Sequence, residues 1–297
     1  MKLEEVFLPT HPGDVGIFGD PIEHTLSPLM QNAAFKTWQL AFKDGKRAPA
    51  LYHKFRVEPN QLKEAVALVK KHQLRGVNIT IPHKVAVCHY LDALDPFAEK
   101  VGCVNTLVLQ SGKLKGFNTD GDGFRLSLEQ EFGPKEKIHT ALVLGSGGTG
   151  RVIVQALLKM GKKIGWWNRH FLKIESLLKD KKNKEMLEHV TLIKSDKDLA
   201  AASAVADLVV NATPVGLSPE DGMPASSLHF REGQCVFDVI YHRETRFMQE
   251  AKAAGSRVCG GLSMLVHQGA RSFELWTGAP APREVMWKAL LESFQQA

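Results

Sequence analysis

The sequence predicts an α/β chain in two parts, an N-terminal α/β domain followed by a doubly wound parallel sheet. Three observations carry this expectation. From Thr140 onward, six short apolar runs alternate with segments, several of which have helical periodicity, the order that builds parallel βαβ units. A glycine-rich loop, Gly145-Ser146-Gly147-Gly148-Thr149-Gly150, follows the first of those runs directly and opens an apolar helix. The length of 297 residues suits two domains of roughly 150 residues, each able to bury a core without disulfide or metal staples.

In the second half the runs at 140–144, 163–167, 190–193, 207–211, 235–239 and 257–259 read as fully buried strands. In the first half, 15–18, 51–57, 76–81 and 105–109 read as strands, with helices at 28–38 and 60–71 between the first three. Ser27 before Pro28 makes a good helix start, since a hydroxyl can cap free amides and proline costs nothing at the first helical position. Ser111-Gly112-Lys113 reads as a hairpin turn into a strand at 114–117. Residues 43–49 (KDGKRAP) are polar and read as an exposed loop. After Cys259 the alternation stops. A helix follows with Met264, Leu265, Ala270 and Phe273 on one face, then a break at Thr277-Gly278-Ala279-Pro280 and a last helix at 283–294. The expected domains are 1–120, with 264–297 packing back on it, and 121–263.

Composition narrows the function classes. With 44% hydrophobic and 24% charged residues, collagen-like, disordered and coiled-coil chains are excluded. No apolar run approaches the roughly 18 residues of a membrane span, and the early acids Glu4 and Glu5 lack the order of a signal peptide, so a cytoplasmic protein is expected. Cys88, Cys103, Cys235 and Cys259 are far apart with no C-x-x-C pair, which predicts reduced thiols and no metal. The charge of +6 is concentrated in 173–184 (KIESLLKDKKNK), read as a helix end with a solvated basic tail. Aromatic residues are not interleaved with it as a nucleic-acid surface would need. A basic chain still attracts small phosphates and carboxylates.

In its strand-turn-helix context the glycine loop reads as a dinucleotide cradle. Gly145 permits the tight turn, Gly147 lets backbone approach a pyrophosphate, and Gly150 allows close helix packing. Amides at the helix start then hold phosphate. The next strand ends in Trp167-Asn168-Arg169-His170, with no acid before Glu175. A carboxylate there would hold the ribose hydroxyl of NAD, whereas a guanidinium can grip a 2′-phosphate, so Arg169 argues for NADP.

Four polar clusters stand at strand edges or helix starts of the N-terminal half: 24–28 (HTLSP), 76–84 (GVNITIPHK), 104–106 (VNT) and 116–120 (GFNTD). Taken singly, Ser27 reads as a helix cap, Asn105 as a turn residue and Asp120 as the cap of the helix after it. Together with the glycine loop, Asn168-Arg169, 211–216 (NATPVG) and 264–268 (MLVHQ), their order resembles the shikimate dehydrogenase family from residue 19 to beyond Gln268. The resemblance implies NADP-linked, reversible reduction of 3-dehydroshikimate to shikimate in aromatic amino acid and chorismate biosynthesis, with a substrate domain, a Rossmann domain and the reaction in the cleft. It implies that Thr25 and Ser27 bind the substrate carboxylate. Thr80, Asn105, Asp120 and Gln268 would meet its hydroxyls, with Tyr241 on the opposite wall. Gly145, Ser146, Gly147, Gly148, Thr149, Asn168, Arg169, Thr213 and Gly261 would hold the cofactor, and Lys84 and Asp120 would form the catalytic pair. The implied partners are the small-molecule substrate and, at most, a second copy of the chain, without nucleic acid or membrane.

The chemistry asks for such a pair. Hydride arriving at a ketone builds negative charge on oxygen, which a positioned ammonium neutralises and protonates. Burial lowers a lysine pKa and a nearby carboxylate raises it, so Asp120 is assigned to orienting Lys84 and binding a hydroxyl; the residues leave open which of the two moves the proton. Departures from the family pattern bear on substrate breadth. Thr25 stands where Ser is common, the loop 239–245 lacks the usual Pro and is one residue short, Ser263 replaces a usual Gly, and 43–49 resembles an insertion. A quinate or shikimate dehydrogenase that also uses NAD, and a non-catalytic NADP-binding sensor, are the competing readings; the sensor has no need of both Lys84 and Asp120.

Overall fold

The computed structural model describes residues 3–7, 10–40, 50–134 and 136–295; the loop expected at 43–49 lies outside them. The chain folds into two units, one formed by Met1–Thr119 with Val266–Ala297 and the other by Asp120–Leu265.

The first unit is built on a six-stranded sheet of β1 (Val15–Gly19), β2 (Tyr52–Arg56), β3 (Gly76–Ile79), β4 (Ala93–Leu94), β5 (Thr106–Gln110) and β6 (Lys113–Phe117). Their order is β2-β1-β3-β5-β6-β4. β1 is buried at every residue and lies parallel to both β2 and β3, as an apolar run covered on both faces should. β5 runs antiparallel to β3, and β6 antiparallel to β5. The hairpin between them turns through Ser111 (φ 48°) and Gly112 (φ 75°), two left-handed residues whose twist suits a two-residue connection. This alternation of direction returns the chain repeatedly to one edge. Phe18 pairs with Ile79, Asn78 with Thr106, and Thr106 with Phe117. Gly19, Thr80, Asn105 and Asn118 therefore leave the sheet side by side.

Helix Leu62–Lys71 buries Leu62, Ala65, Val66 and Val69, the spacing of one helical face. They join a core with Phe18, Phe55 and Phe7, in which Phe7 stacks on Phe55 at 4.3 Å between ring centroids. On the other face, helix Arg283–Gln295 packs on Ser27–Leu40. The Gln31 side chain donates to Gly269 O at 2.9 Å; a Cβ on Gly269 would lie 2.2 Å from Met30 Cε, so glycine lets the helices approach.

The second unit holds β7 (Thr140–Leu144), β8 (Lys163–Trp167), β9 (Val190–Ile193), β10 (Leu208–Asn211), β11 (Cys235–Asp238) and β12 (Arg257–Cys259). They form a second six-stranded sheet, ordered β12-β11-β10-β7-β8-β9. All its pairings are parallel. Counted from β7 this is the 3-2-1-4-5-6 order of the Rossmann fold, whose direction of winding reverses between β7 and β10.

Several expectations shift in detail. Helix 60–71 begins as a 3-10 turn at Pro59–Gln61 before turning α-helical. The strand expected at 76–81 ends at Ile79, because its partner β5 begins only at Thr106 and Pro82 has no amide to pair. The basic stretch is more than a solvated tail: after helix Leu172–Lys179 comes a 3-10 segment, Lys181–Glu188, in which Met186 is buried and Asn183 Nδ2 donates to Leu177 O at 2.9 Å. Sequence pattern carried no sign of β4 or of helix Pro96–Val101. The helix has local signals, with Asp95 capping Ala98 N at 2.6 Å and Gly102 ending it at φ 61°, as D-P and a following glycine allow. All four cysteines are free. Among the described residues no helix is long and apolar enough to cross a membrane, and no cluster of His, Cys, Asp and Glu could hold a metal.

Candidate active site

The sheet edge of the first unit collects the polar clusters. The loop after β1 leads to Thr25, whose Oγ1 accepts from Ser27 N at 3.3 Å. The helix begins at Ser27 itself, so Ser27 is a first-turn residue and Thr25 supplies the cap. This corrects the sequence reading of Ser27 as the cap. Among the described residues no hydrogen bond uses the Ser27 hydroxyl, although the residue is buried. Thr80, on the neighbouring loop, donates its amide to Phe18 O at 2.9 Å. A Cβ on Gly19 would lie 2.5 Å from Thr80 Cγ2, so a glycine at the end of β1 is what lets the two loops touch.

Lys84 is half-buried, and its carbonyl accepts from Val104 N at 2.8 Å, which ties its loop to the segment carrying Asn105. His83, just before it, is buried and its Nε2 stands 2.6 Å from Val57 O. A carbonyl only accepts, so Nε2 carries the proton. Burial holds the imidazole pKa below its usual value and favours the neutral ring.

Asn105 is the centre of the edge. Its Oδ1 accepts from Thr119 N at 2.8 Å and from Thr106 Oγ1 at 2.9 Å. Its Nδ2 donates to Thr119 Oγ1 at 2.9 Å and reaches Gln268 Oε1 at 3.4 Å. Asn105 and Gln268, far apart in sequence, are therefore neighbours. Asp120, buried, follows Thr119 and starts helix Asp120–Phe132 in the second unit. Tyr241 also lies in that unit, half-buried beyond β11.

Of the residues expected at the cofactor, 145–149, Asn168, Arg169 and Thr213 follow the C-terminal ends of β7, β8 and β10, on both sides of the point where the winding reverses, and Gly261 follows β12. Gly145 has φ 105° and a Cβ there would lie 2.8 Å from Ala212 O and 3.1 Å from Thr213 Cγ2. A Cβ on Gly150 would lie 2.3 Å from Gly145 O, so both glycines are required by close backbone approach. A Cβ on Gly147 would meet no protein atom; it would fill open space before the amides at the start of helix Gly148–Lys159. Ser146 Oγ is buried without a partner among the described residues. A cradle emptied by glycine, beside helix amides and an unpaired hydroxyl, fits a pyrophosphate. Asn168 Oδ1 accepts from His170 N at 2.8 Å, which shapes the turn that leaves Arg169 exposed at the end of β8. Gly261 donates its amide to Ile240 O at 3.0 Å, and a Cβ there would lie 2.2 Å from Val239 O.

Behind Thr213 sits a buried charge that sequence reasoning passed over. Asp238 accepts from Thr245 Oγ1 at 2.6 Å, Asn211 Nδ2 at 3.1 Å and Ile240 N at 3.1 Å. Asn211 Oδ1 in turn accepts from Thr213 N at 3.1 Å and Thr213 Oγ1 at 2.7 Å. Burial pushes the Asp238 carboxyl up to about 6, although those donors pull the other way. The native state then binds this proton more tightly than the unfolded chain, whose Asp titrates near 3.9. Stability from this group is fully present below about pH 4 and is lost as pH rises through about 6, a swing of about 3 kcal/mol. Asp238→Asn is expected to flatten the melting temperature between pH 4.5 and 7; an unchanged slope in the variant would assign the titration elsewhere.

Sequence reasoning also left Asn78, Thr106, Thr119 and Ser272 unassigned. They form one buried polar network with Asn105. Ser272 stands four residues after Gln268, the spacing of one helix face, which is the signal that could have found it.

A family model described as the shikimate dehydrogenase substrate binding domain matches residues 17–107. A model described as the shikimate 5'-dehydrogenase C-terminal domain matches 261–291, and one described as the NAD-dependent glycerol-3-phosphate dehydrogenase N-terminus matches 140–220. The shikimate dehydrogenase (NADP(+)) of Geobacillus kaustophilus is 40% identical over 266 residues, 89% of this chain and 92% of the relative. That of Desulforamulus reducens is 41% identical over 281 residues, 93% of each chain. The crystal structure of the Thermus thermophilus shikimate 5-dehydrogenase in complex with NADP(H) and shikimate is 33% identical and superposes with a TM-score of 0.78, covering 94% of this chain and 99% of that one. With relatives about 40% identical over nearly the whole length, this chain belongs to the shikimate dehydrogenase family.

Proposed function

We infer that this chain is an NADP-dependent oxidoreductase that interconverts 3-dehydroshikimate and shikimate. The observation that carries the reading is the gathering of Thr25, Ser27, Thr80, Lys84, Asn105 and Gln268 at one sheet edge in a chain about 40% identical to NADP-dependent shikimate dehydrogenases. Bound NADPH supplies the hydride. The cofactor is held by the loop 145–149, Asn168, Arg169, Thr213 and Gly261. Thr25 and Ser27 bind the substrate carboxylate, their hydroxyls adding to the free amides of a helix start that favours an anion. Asn105, Thr80 and Gln268 meet the substrate hydroxyls, and Tyr241 contributes from the second unit. Lys84 neutralises the oxygen that gains charge and delivers the proton that completes the alcohol; Asp120 orients its ammonium and holds a hydroxyl. The reading carries with it a cytoplasmic enzyme working as a monomer or homodimer.

The direct test follows absorbance of the reduced cofactor with purified protein, shikimate and quinate each being offered with NADP and with NAD. The highest kcat/KM is expected for shikimate with NADP. No turnover of shikimate, or a higher kcat/KM for quinate with NAD, would overturn the reading.

Ser27→Ala separates anion binding from helix stability. The variant is expected to raise KM for shikimate about tenfold, the scale of a hydrogen bond to a charged group, and to leave KM for NADP unchanged because the cofactor residues lie in the other unit. A variant that melts earlier yet binds shikimate normally would return Ser27 to a structural role.

A further inference from the structure

We propose that Ser272 is a positioning residue that steadies the Asn105 carboxamide through the Thr106 and Thr119 hydroxyls, both of which bond to it. The inference rests on Asn105 being a substrate contact. Ser272 is fully buried on the helix that carries Gln268, and its Oγ lies within reach of Asn78 Nδ2 (3.0 Å), Thr106 Oγ1 (2.8 Å), Thr119 Oγ1 (3.3 Å) and Gln268 O (3.1 Å).

Donor and acceptor chemistry fixes the two ends of the network. The Tyr52 hydroxyl donates to Asn78 Oδ1 at 2.8 Å, which turns the Asn78 amide nitrogen toward Ser272. That nitrogen only donates, so Ser272 Oγ accepts from it. At the other end, the backbone amide of Thr119 only donates, so the Asn105 atom it meets at 2.8 Å is the oxygen. Thr106 has one hydroxyl proton, and that same oxygen, 2.9 Å away, can accept it. Ser272 has one hydroxyl proton as well, and Gln268 O, a carbonyl 3.1 Å away, can take it, so either hydroxyl can donate in the 2.8 Å pair of Ser272 and Thr106. The relay links Tyr52, Asn78, Ser272, Thr106 and Asn105 in one buried chain of hydrogen bonds, and such chains strengthen their members. The Asn105 oxygen is committed inward, and its NH₂ donates to Thr119 Oγ1 at 2.9 Å and approaches Gln268 Oε1 at 3.4 Å. Without the Ser272 hydroxyl, Thr106 and Thr119 lose a shared partner, and the amide they bond to is less firmly held.

The test is a double-mutant cycle on the full-length enzyme. Ser272→Ala is made alone and in an Asn105→Ala background, with shikimate affinity read both as KM and by calorimetric titration, beside KM for NADP and the melting temperature. Ser272→Ala alone is expected to weaken shikimate about fivefold, the scale of one neutral hydrogen bond, with KM for NADP unchanged. In the Asn105→Ala background it is expected to have no further effect on shikimate. Thr106→Val, which cuts the same relay one step nearer Asn105, is expected to give the same signature and stands in if Ser272→Ala does not fold. A lower melting temperature with unchanged shikimate affinity, a full fivefold loss persisting without the Asn105 side chain, or an Asn105→Ala enzyme with normal affinity would each overturn the proposal. The wild-type enzyme is measured first: failure of wild type to bind or turn over shikimate would instead overturn the functional reading.

Discussion

Lys84→Ala is expected to lower kcat at least about a hundredfold, the usual scale of general acid–base catalysis, with a smaller effect on KM for shikimate. The ketone oxygen gains its negative charge only as the hydride arrives, so an ammonium aimed at that oxygen stabilises the transition state more than the ground state. Loss of such a group appears in kcat, whereas loss of a substrate anchor appears in KM. The residue is well placed for a clean measurement, because its loop is held by backbone bonds: Lys84 O accepts from Val104 N, and the neighbouring His83 is anchored on Val57 O. Truncating the side chain leaves both intact, so the loop is expected to keep its place. A loss confined to KM would make Lys84 a binding residue and move the proton transfer to another group.

Arg169→Asp is expected to raise KM for NADP by about tenfold to a hundredfold, as loss of a charge-assisted hydrogen bond to a 2′-phosphate requires, and to lower KM for NAD. The substitution does two things at once. It removes a guanidinium that can hold a phosphate in a bidentate grip and installs a carboxylate that repels the phosphate while accepting from a ribose hydroxyl. Arg169 is exposed at the end of β8, where a substitution seldom moves stability by more than about 0.5 kcal/mol, so an effect on KM is separable from an effect on folding. Unchanged Michaelis constants for both cofactors would remove Arg169 from the site.

The parts of this protein that were legible in its sequence are those whose physics is local. Apolar runs separated by helix-length segments predict a parallel sheet because a strand buried on both faces has no polar alternation, and β7 through β12 follow those runs to within a residue or so. The glycine loop is legible for a similar reason: Gly145 needs a positive φ and Gly150 a close backbone approach, demands that few other residues can meet. The hairpin at Ser111 and Gly112 belongs to the same class. What the tertiary structure alone decided is pairing between distant segments. β4 is two residues long, too short for any periodicity, and exists because β6 offers it a free edge to pair with. The burial of Met186 within a run of lysines reflects the surface it lands on, to which charge patterning is blind. Ser27 is a first-turn residue, with Thr25 capping it, since the turn before the helix and not the cap preference of serine sets where the helix begins. The polar edge itself is a matter of strand direction: Asn105 comes beside Thr119 and Gln268 because β5 and β6 reverse and the helix bearing Gln268 and Ser272 returns. Sequence names the residue types that the chemistry needs, but hydrogen bonds act over about 3 Å, and only the folded chain decides which of those residues come within that distance.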